Sequence, residues 1–177
     1  LQADVTAVVV GVNVDAVNIE IDNCWFTYNA TGDDFVMQVD ASSFAGFFFH
    51  DNVVESEIAT AGGNDAILLN ASHRARIVGN IFRGDWANAV IRNATALSSE
   101  ILIKDNVMYN TDTSVYNGID TGTLSTTGIV ADNAITALYA TAVAKVYRDG
   151  DLTSHRNSFA NDVSERGAIL LPATSAA

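Results

Sequence analysis

Apolar residues recur along this chain in one short pattern: apolar, any, apolar, any, any, asparagine, any, apolar. The clearest copy runs from Ile101 to Met108. Six copies fit, and their anchors at the asparagine position are Cys24, Asn52, Asn80, Asn106, Asn133 and Asn157. Successive anchors are 28, 28, 26, 27 and 24 residues apart. A repeat of this period predicts a stacked architecture in which each copy forms one structural unit.

The spacing within each copy favours strands. Its apolar residues are two apart, and β-branched and aromatic residues dominate. Helical repeats instead need apolar residues three and four apart over ten or more residues. Leucine-rich repeats have a similar period but require a leucine lattice, and leucine does not dominate this chain. We therefore predict an all-β coil with three short strands per turn, of which two flank the anchor.

The third strand of each turn is expected after a polar loop rich in Gly, Asn and Asp, which favour turns. These strands are predicted at residues 35–40, 66–70, 89–93 and 117–121. Residues 137–149 are alanine-rich and are also compatible with a helical turn. We expect a single domain over residues 1–177, with a partial first rung at 1–17 and a C-terminal strand and tail at 167–177.

The repeat resembles that of the right-handed parallel β-helix proteins, which include pectate lyases, polygalacturonases and many phage tailspike and virion proteins. The resemblance covers about residues 8–170. It implies a single-stranded right-handed parallel β-helix of about six to seven rungs. It says much less about activity, because one scaffold can host many unrelated functions.

Stacking of the rungs gives the anchor asparagines a structural role. Equivalent residues on successive rungs lie ~4.8 Å apart, and an amide carries both a donor and an acceptor. We therefore predict a column of asparagine side chains that bond from rung to rung. Cys24 is expected to be a small buried end-piece of this column. Solvated turn asparagines are the alternative.

The same template predicts which residues face outward. The residue directly after each anchor points away from the core, and so does the residue four positions before it. Large apolar residues at these positions are Trp25, Phe48, Val53, Ile81, Leu102, Val107 and Ile129. Exposed apolar stripes mark interaction surfaces. We predict self-association through this stripe, most simply as a trimer of side-by-side coils, although a loop of the same chain is another possible cover.

Composition narrows the choice of partners. Of the 177 residues, 49% are hydrophobic, and the formal net charge is −12. This charge repels phosphate backbones and anionic lipids, so neither nucleic acid nor a membrane surface is an expected partner. No apolar run approaches the ~20 residues of a membrane helix. The single cysteine excludes an intrachain disulfide. Because the chain begins at Leu1 rather than Met, either a leader has been removed or this is the ordered part of something longer, and we favour the second interpretation.

Enzyme-like motifs do not assemble into a site. Asn110-Thr-Asp112 and Asp33-Asp34 resemble two polygalacturonase motifs, but their chain order is reversed and they lie three rungs apart, ~14 Å. Paired glycosidase carboxylates must lie ~5–9.5 Å apart. His50 and His155 are four rungs apart, and we expect them and His73 to be surface histidines. No catalytic residues are predicted.

Calcium is the only cofactor for which the sequence offers candidate ligands. Its hard-oxygen ligands are available in loop acids, namely Asp33, Asp34, Asp65, Asp85 and Asp112. Their offsets from the anchors differ, so a solvated acidic rim is favoured and no cofactor is predicted.

These features favour a non-enzymatic structural subunit of an extracellular or virion assembly, such as a phage-like spike, fibre or decoration protein. A carbohydrate-active or glycan-binding β-helix, resembling polysaccharide lyases or hydrolases, is the alternative. Aromatic residues expected to face outward could stack on sugars, and these are Trp86, Tyr109, Tyr116 and Tyr139. Subunit contact is their favoured role.

Overall fold

The computed structural model describes residues 10–14, 18–28, 35–39, 46–56, 65–70, 72–84, 86, 89–93, 98–110, 117–120, 126–137, 145–147, 152–161 and 168–170. Within these ranges the secondary structure is strand, with no helix, and all strand pairs are parallel. The all-β class and the parallel strands predicted from the repeat are thereby confirmed for the described residues.

The strands form three parallel sheets. Sheet A contains β1 (Val10–Val14), β4 (Phe35–Val39), β7 (Asp65–Leu69), β10 (Ala89–Asn93), β13 (Asn117–Asp120), β16 (Lys145–Tyr147) and β19 (Ala168–Leu170). Sheet B contains β2 (Ile19–Asp22), β5 (Phe47–His50), β8 (Ala75–Val78), β11 (Ile101–Lys104), β14 (Gly128–Ala131) and β17 (Leu152–His155). Sheet C contains β3 (Trp25–Tyr28), β6 (Val53–Ser56), β9 (Ile81–Gly84), β12 (Val107–Asn110), β15 (Ala134–Ala137) and β18 (Ser158–Asn161).

Every third strand joins the same sheet, an arrangement consistent with a parallel β-helix. Within each sheet the strands follow one another in chain order. The register aligns equivalent positions of the repeat, so that Ile103 pairs with Ile77 on one side and Val130 on the other. In sheet C, Met108 pairs in the same way with Phe82 and Ile135. The spacing of the sequence repeat is therefore also the spacing of the strand pairing.

One apolar core runs between the sheets. Sheet B contributes Phe49, Ile77, Ile103 and Val130, and each of these side chains is 1% exposed or less. Sheet C contributes Phe26, Val54, Phe82, Met108 and Ile135, and sheet A contributes Met37, Ile67, Ile91 and Ile119. Full burial of one such side chain is worth ~1.5–3 kcal/mol. Stacking of consecutive turns is therefore the main source of stability in this fold.

A left-handed backbone conformation marks the corner between sheets B and C. The residue immediately before each anchor has positive φ, and the series is Asn23, Asp51, Gly79, Asp105, Asp132 and Arg156. The positive φ falls on the residue before the anchor and not on the anchor asparagine itself. Asparagine, aspartate and glycine tolerate it best, and five of the six positions carry one of these three.

The third strands differ slightly from their predicted bounds. The predicted strand 66–70 begins one residue earlier, at Asp65, and ends at Leu69. Strand β10 occupies the predicted 89–93. In the alanine-rich segment 137–149, Lys145–Tyr147 is a strand, while residues 138–144 and 148–149 lie outside the described residues.

Candidate interaction surface

The register aligns the outward residues of sheet C in one row. Trp25 pairs with Val53, and the row continues through Ile81, Val107 and Ala134. We call these five residues the sheet C column. Trp25 is 57% exposed and Val107 is 49% exposed, whereas Val53, Ile81 and Ala134 are half-buried. No charged side chain interrupts the column, so it presents a continuous apolar strip to solvent.

Polar residues border the sheet C column on one side. Two positions further along each strand, the register aligns Thr27, Glu55, Arg83, Tyr109 and Thr136, which we call the flanking column. Arg83 Nη1 lies 3.3 Å from Glu55 Oε1, and Trp25 Nε1 donates to Glu55 Oε2 at 3.2 Å. The indole ring of Trp25 is thereby held beside a carboxylate while much of it remains in contact with water.

The corner column borders the opposite side. It consists of the six positive-φ residues that directly precede the anchors, of which the exposed ones are Asn23, Asp51, Asp105 and Arg156. Lys104 Nζ lies 2.9 Å from Asp105 Oδ2, and Arg156 contacts both carboxylate oxygens of Asp132 at 2.6 and 2.8 Å. An apolar core between polar borders is the usual anatomy of a protein interface.

The predicted apolar positions of sheet B form a less continuous row. Phe48, Leu102 and Ile129 lie in one register row, but Glu20 pairs with Phe48, and Arg76 lies between Phe48 and Leu102. Ile129 is 42% exposed, and Phe48 and Leu102 are half-buried. The seven predicted interface residues thus divide between an uninterrupted strip on sheet C and a charge-interrupted row on sheet B.

A shallow groove lies at the edge of the sheet B row. It has a volume of about 320 Å³ and is lined by Asn18, Ile19, Glu20, Gly46, Phe47, Phe48, Arg74 and Arg76. Arg74 Nε donates to Glu100 Oε2 at 3.1 Å. Arg76 is exposed and makes no ion pair within the described part of the chain. The groove therefore combines an aromatic face with a guanidinium group that is available to a ligand.

His50 joins this groove to the corner column. Its ring stacks on Phe48 with centroids 4.1 Å apart, and its nitrogens lie 2.8 Å from Asp51 Oδ2 and 3.0 Å from Glu20 Oε1. The hydrogen bond to Asp51, followed by that to Glu20, raises the pKa of His50 above its usual value. His155 occupies the same register row four strands away, so the two histidines do not share a site.

The predicted anchor residues lie at consecutive levels on the inner side of the corner. Asn52, Asn80, Asn106 and Asn133 are each 1% exposed or less, Asn157 is half-buried, and Cys24 is half-buried rather than fully buried. Asn106 Nδ2 donates to Asn133 Oδ1 at 2.9 Å and to the carbonyl oxygen of Ile77 at 2.9 Å.

The neighbouring anchors repeat this arrangement. The amide-to-amide distances are 3.2 Å from Asn52 to Asn80, 3.0 Å from Asn80 to Asn106 and 2.8 Å from Asn133 to Asn157. Asn52 Oδ1 accepts the backbone N–H of Cys24 at 2.9 Å. These side chains are buried without loss of hydrogen bonds, which would otherwise cost roughly 1–3 kcal/mol per group.

Of the five acids considered as calcium ligands, Asp65 is the one that lies among the described residues. Asp65 is fully buried and contacts the guanidinium of Arg92 at 2.7 Å. Burial raises the pKa of Asp65 to about 6, an effect that the hydrogen bond from Arg92 opposes. The other candidates, Asp33, Asp34, Asp85 and Asp112, lie outside the described residues. Among the residues that are described, no group of three His, Cys, Asp or Glu side chains is placed to hold a metal ion.

Two features of the site region were not predicted. Trp86, proposed as an outward aromatic, is fully buried in the core, so that assignment was wrong. A second buried polar cluster lies at the corner between sheets A and B, where Asn93 Nδ2 donates to Thr126 Oγ1 at 2.8 Å and Ser98 Oγ donates to Asn93 Oδ1 at 3.1 Å. Ser72 and Ser98 each stand three residues before a strand of sheet B, a weak signal that recurs too rarely to be recognised.

Comparison with known proteins adds no relative. No family model, curated protein or solved structure matches the chain. Among the described residues, no helix is long and apolar enough to cross a membrane. A functional conclusion therefore depends on the surface itself.

Proposed function

We propose that this chain is a non-enzymatic structural subunit that associates with copies of itself through the sheet C column. The extracellular or virion setting that the sequence suggested, as a phage-like spike, fibre or decoration protein, belongs to the same proposal. The observation that carries it is the exposure of Trp25 and Val107 within an uninterrupted apolar strip. The indole ring of Trp25 is 57% exposed, and a partner that covers it would remove this apolar surface from water.

The proposal includes a specific form of scaffold. We propose a single-stranded right-handed β-helix of about six to seven rungs, stabilised by the asparagine anchors acting as a ladder along its length. Supporting this, parallel crossover connections are right-handed in the large majority of known folds. Ladder and core together would give a rigid rod, on which the outward columns keep a fixed spacing of ~4.8 Å per level. Such a rod can present an extended strip to a partner.

Charge substitution within the column tests the proposal. A lysine at Val107 would place an unpaired charge in the contact, whereas a lysine at the exposed Thr153 adds the same charge on sheet B. We expect sedimentation velocity to show concentration-dependent oligomers for the wild-type chain and for Thr153→Lys, and monomers for Val107→Lys. Circular dichroism would verify that both variants fold. A wild-type chain that sediments at 18.8 kDa at all concentrations would contradict the proposal.

The groove favours a second candidate function, the binding of a glycan. An aromatic face can stack on a sugar ring, and Phe48 provides one between Glu20 and Arg76, which makes no ion pair with the residues that the structure describes. A carboxylate can accept hydrogen bonds from sugar hydroxyls, and a guanidinium can donate paired hydrogen bonds to the carboxylate of an acidic sugar. This candidate does not compete for the sheet C column, because its residues belong to sheet B.

Calorimetric titration with neutral and uronate-containing oligosaccharides tests this candidate. Binding to the wild-type chain should be lost in Phe48→Ala and weakened in Arg76→Gln, while Val107→Lys should bind like the wild type. Absence of heat with every sugar, or equal binding by Phe48→Ala, would exclude the groove as a glycan site.

A further inference from the structure

We infer that the partner on the sheet C column is a second copy that lies antiparallel to the first, related by a two-fold axis that crosses the column between β6 and β9. This inference depends on the proposed self-association and specifies its geometry. It differs from the parallel trimer that the sequence suggested. The reason is the distribution of charge in the two columns that border the apolar strip.

The two-fold axis runs along the strand direction, perpendicular to the long axis of the coil. It reverses the order of levels and leaves each column facing the same column of the second copy. Strand β6 of one copy then lies opposite β9 of the other, and β3 lies opposite β12. In the flanking column, Glu55 on β6 faces Arg83 of the second copy, and Arg83 faces Glu55 in return. Because the interface is isologous, the favourable contact occurs twice.

The intramolecular pair strengthens this match. Glu55 and Arg83 already lie 3.3 Å apart on neighbouring strands of one chain. Two such pairs facing each other in reverse order form a ring in which the signs of the charges alternate. The carboxylate of Glu55 is 25% exposed and the Arg83 side chain is 59% exposed, so both remain accessible to the second copy.

The corner column also tolerates the antiparallel arrangement. Asp51 would face Gly79 of the second copy, and Asn23 would face Asp105. No two like charges meet in these pairs. Within the apolar strip, the protruding Trp25 would face Val107, and the less exposed Val53 would face Ile81. A large ring is thus matched with a smaller side chain at each end of the contact.

A parallel arrangement, whether two-fold or three-fold, brings the same residues together unfavourably. An axis along the coil keeps equal levels together and places the corner column of one copy against the flanking column of the next. Asp51 would then face Glu55 at the same level. Like charges opposed across an interface disfavour that mode of association. Two copies of Trp25 would also meet at one level.

Charge reversal in trans distinguishes the two geometries. In the antiparallel pair, Glu55→Arg places arginine opposite arginine at both contacts, and Arg83→Glu places glutamate opposite glutamate. Each variant alone should therefore lose at least about tenfold in affinity, which corresponds to about 1.4 kcal/mol. An equimolar mixture of the two variants should recover association as a mixed dimer. The parallel arrangement predicts the opposite result for Glu55→Arg, which would place an arginine opposite Asp51 and strengthen association.

Distances between spin labels give an independent readout. Single cysteines replace the exposed Glu20 on β2 or Thr153 on β17, in a chain that also carries Cys24→Ser. The antiparallel pair separates the two Glu20 positions by three levels, ~14 Å along the coil, and the two Thr153 positions by seven levels, ~34 Å. Double electron–electron resonance should therefore give a longer distance between the two labels at position 153 than between the two labels at position 20.

The outcomes separate the geometry from the proposed function. Equal label distances at the two sites, or association strengthened by Glu55→Arg, would overturn the antiparallel geometry while self-association remained. A monomeric wild-type chain would overturn self-association itself. A mixture of Glu55→Arg and Arg83→Glu that stays monomeric, although each variant has a native circular dichroism spectrum, would also overturn the antiparallel contact.

Discussion

At the scale of single residues, the anchors show why asparagine suits a buried corner. Asn106 uses both amide hydrogens and accepts two bonds at its oxygen, from Asn80 Nδ2 and from the backbone N–H of Asn80. No apolar side chain could satisfy the carbonyl oxygen of Ile77 at this place. The repeat thus keeps an amide where the packed interior would otherwise contain unsatisfied backbone groups.

Replacement of Asn106 tests this role. Asn106→Ala removes the acceptor of the Asn80 backbone N–H and the amide that donates to the Ile77 carbonyl, and we expect the free energy of unfolding to fall by ~1–3 kcal/mol. Asn106→Asp should cost more, because a carboxylate would face the oxygens of Ile77 and Asn133. Thr153→Ala, at an exposed position, is the control. Urea denaturation that finds Asn106→Ala as stable as this control would contradict the ladder.

The buried acid Asp65 makes stability depend on pH. Its pKa of about 6 in the folded chain exceeds the ordinary value, so the folded state binds the proton more tightly than the unfolded state. The free energy of unfolding should therefore fall as pH rises from about 3 to about 7, by roughly 3 kcal/mol from this group. In Asp65→Asn this component should be missing. Denaturation profiles of equal slope in that window for both chains would contradict this expectation.

At the scale of elements, one glycine shows how closely neighbouring turns approach. Gly128 begins β14 with φ +144°, and a Cβ atom there would overlap the carbonyl oxygen of Ile101 on β11. The other template copies place larger residues at this position, so the glycine reflects the local approach of these two strands.

Gly128→Ala should therefore be destabilising. Both the backbone conformation and the close contact oppose a side chain, and strain at one such residue costs ~1–3 kcal/mol. Ala75→Gly, at the equivalent position of β8, is the matched control for a change between the same residue types. Thermal unfolding should show a lower midpoint for Gly128→Ala, and an unchanged midpoint would show that the strands separate at little cost.

Prediction from sequence succeeded where one period governs both chemistry and packing. The spacing of Ile101, Ile103 and Asn106 repeats strongly enough to predict parallel strands and to align their positions. The spacing could not predict the burial of Trp86, because that residue lies in a polar stretch between Asp85 and Ala87. The period does not reveal the Asp65–Arg92 pair either. This pair joins strands β7 and β10 of successive turns, and its two residue types do not recur at the equivalent positions of other turns.

The candidate surface was predictable only in part, for a related reason. The template identifies Val107 and Ile129 as outward, and the structure places both in register rows with other apolar residues. The contribution of Glu20 and Arg76 appears only when the rows are read across the strands. Pairing of charges between turns is a property of the register and not of any one segment.

At the scale of the molecule, the fold is a stack whose surface carries separate rows with different chemistry. The sheet C column is apolar, its borders are charged, and β7 of sheet A is buried on both faces, with Ala66 at 0% and Leu68 at 6% exposure. The proposed association through sheet C would therefore use a surface that the core does not need. We propose that a second copy covers Trp25.

Tryptophan fluorescence can report whether Trp25 is covered, because the two tryptophans differ in environment. Trp86 is buried, so the Trp86→Phe variant reports on Trp25 alone, and circular dichroism would verify its fold. If a second copy covers Trp25, its emission should shift to the blue and become harder to quench with acrylamide as protein concentration rises. Emission and quenching that stay constant while sedimentation shows oligomers would mean that association uses another surface.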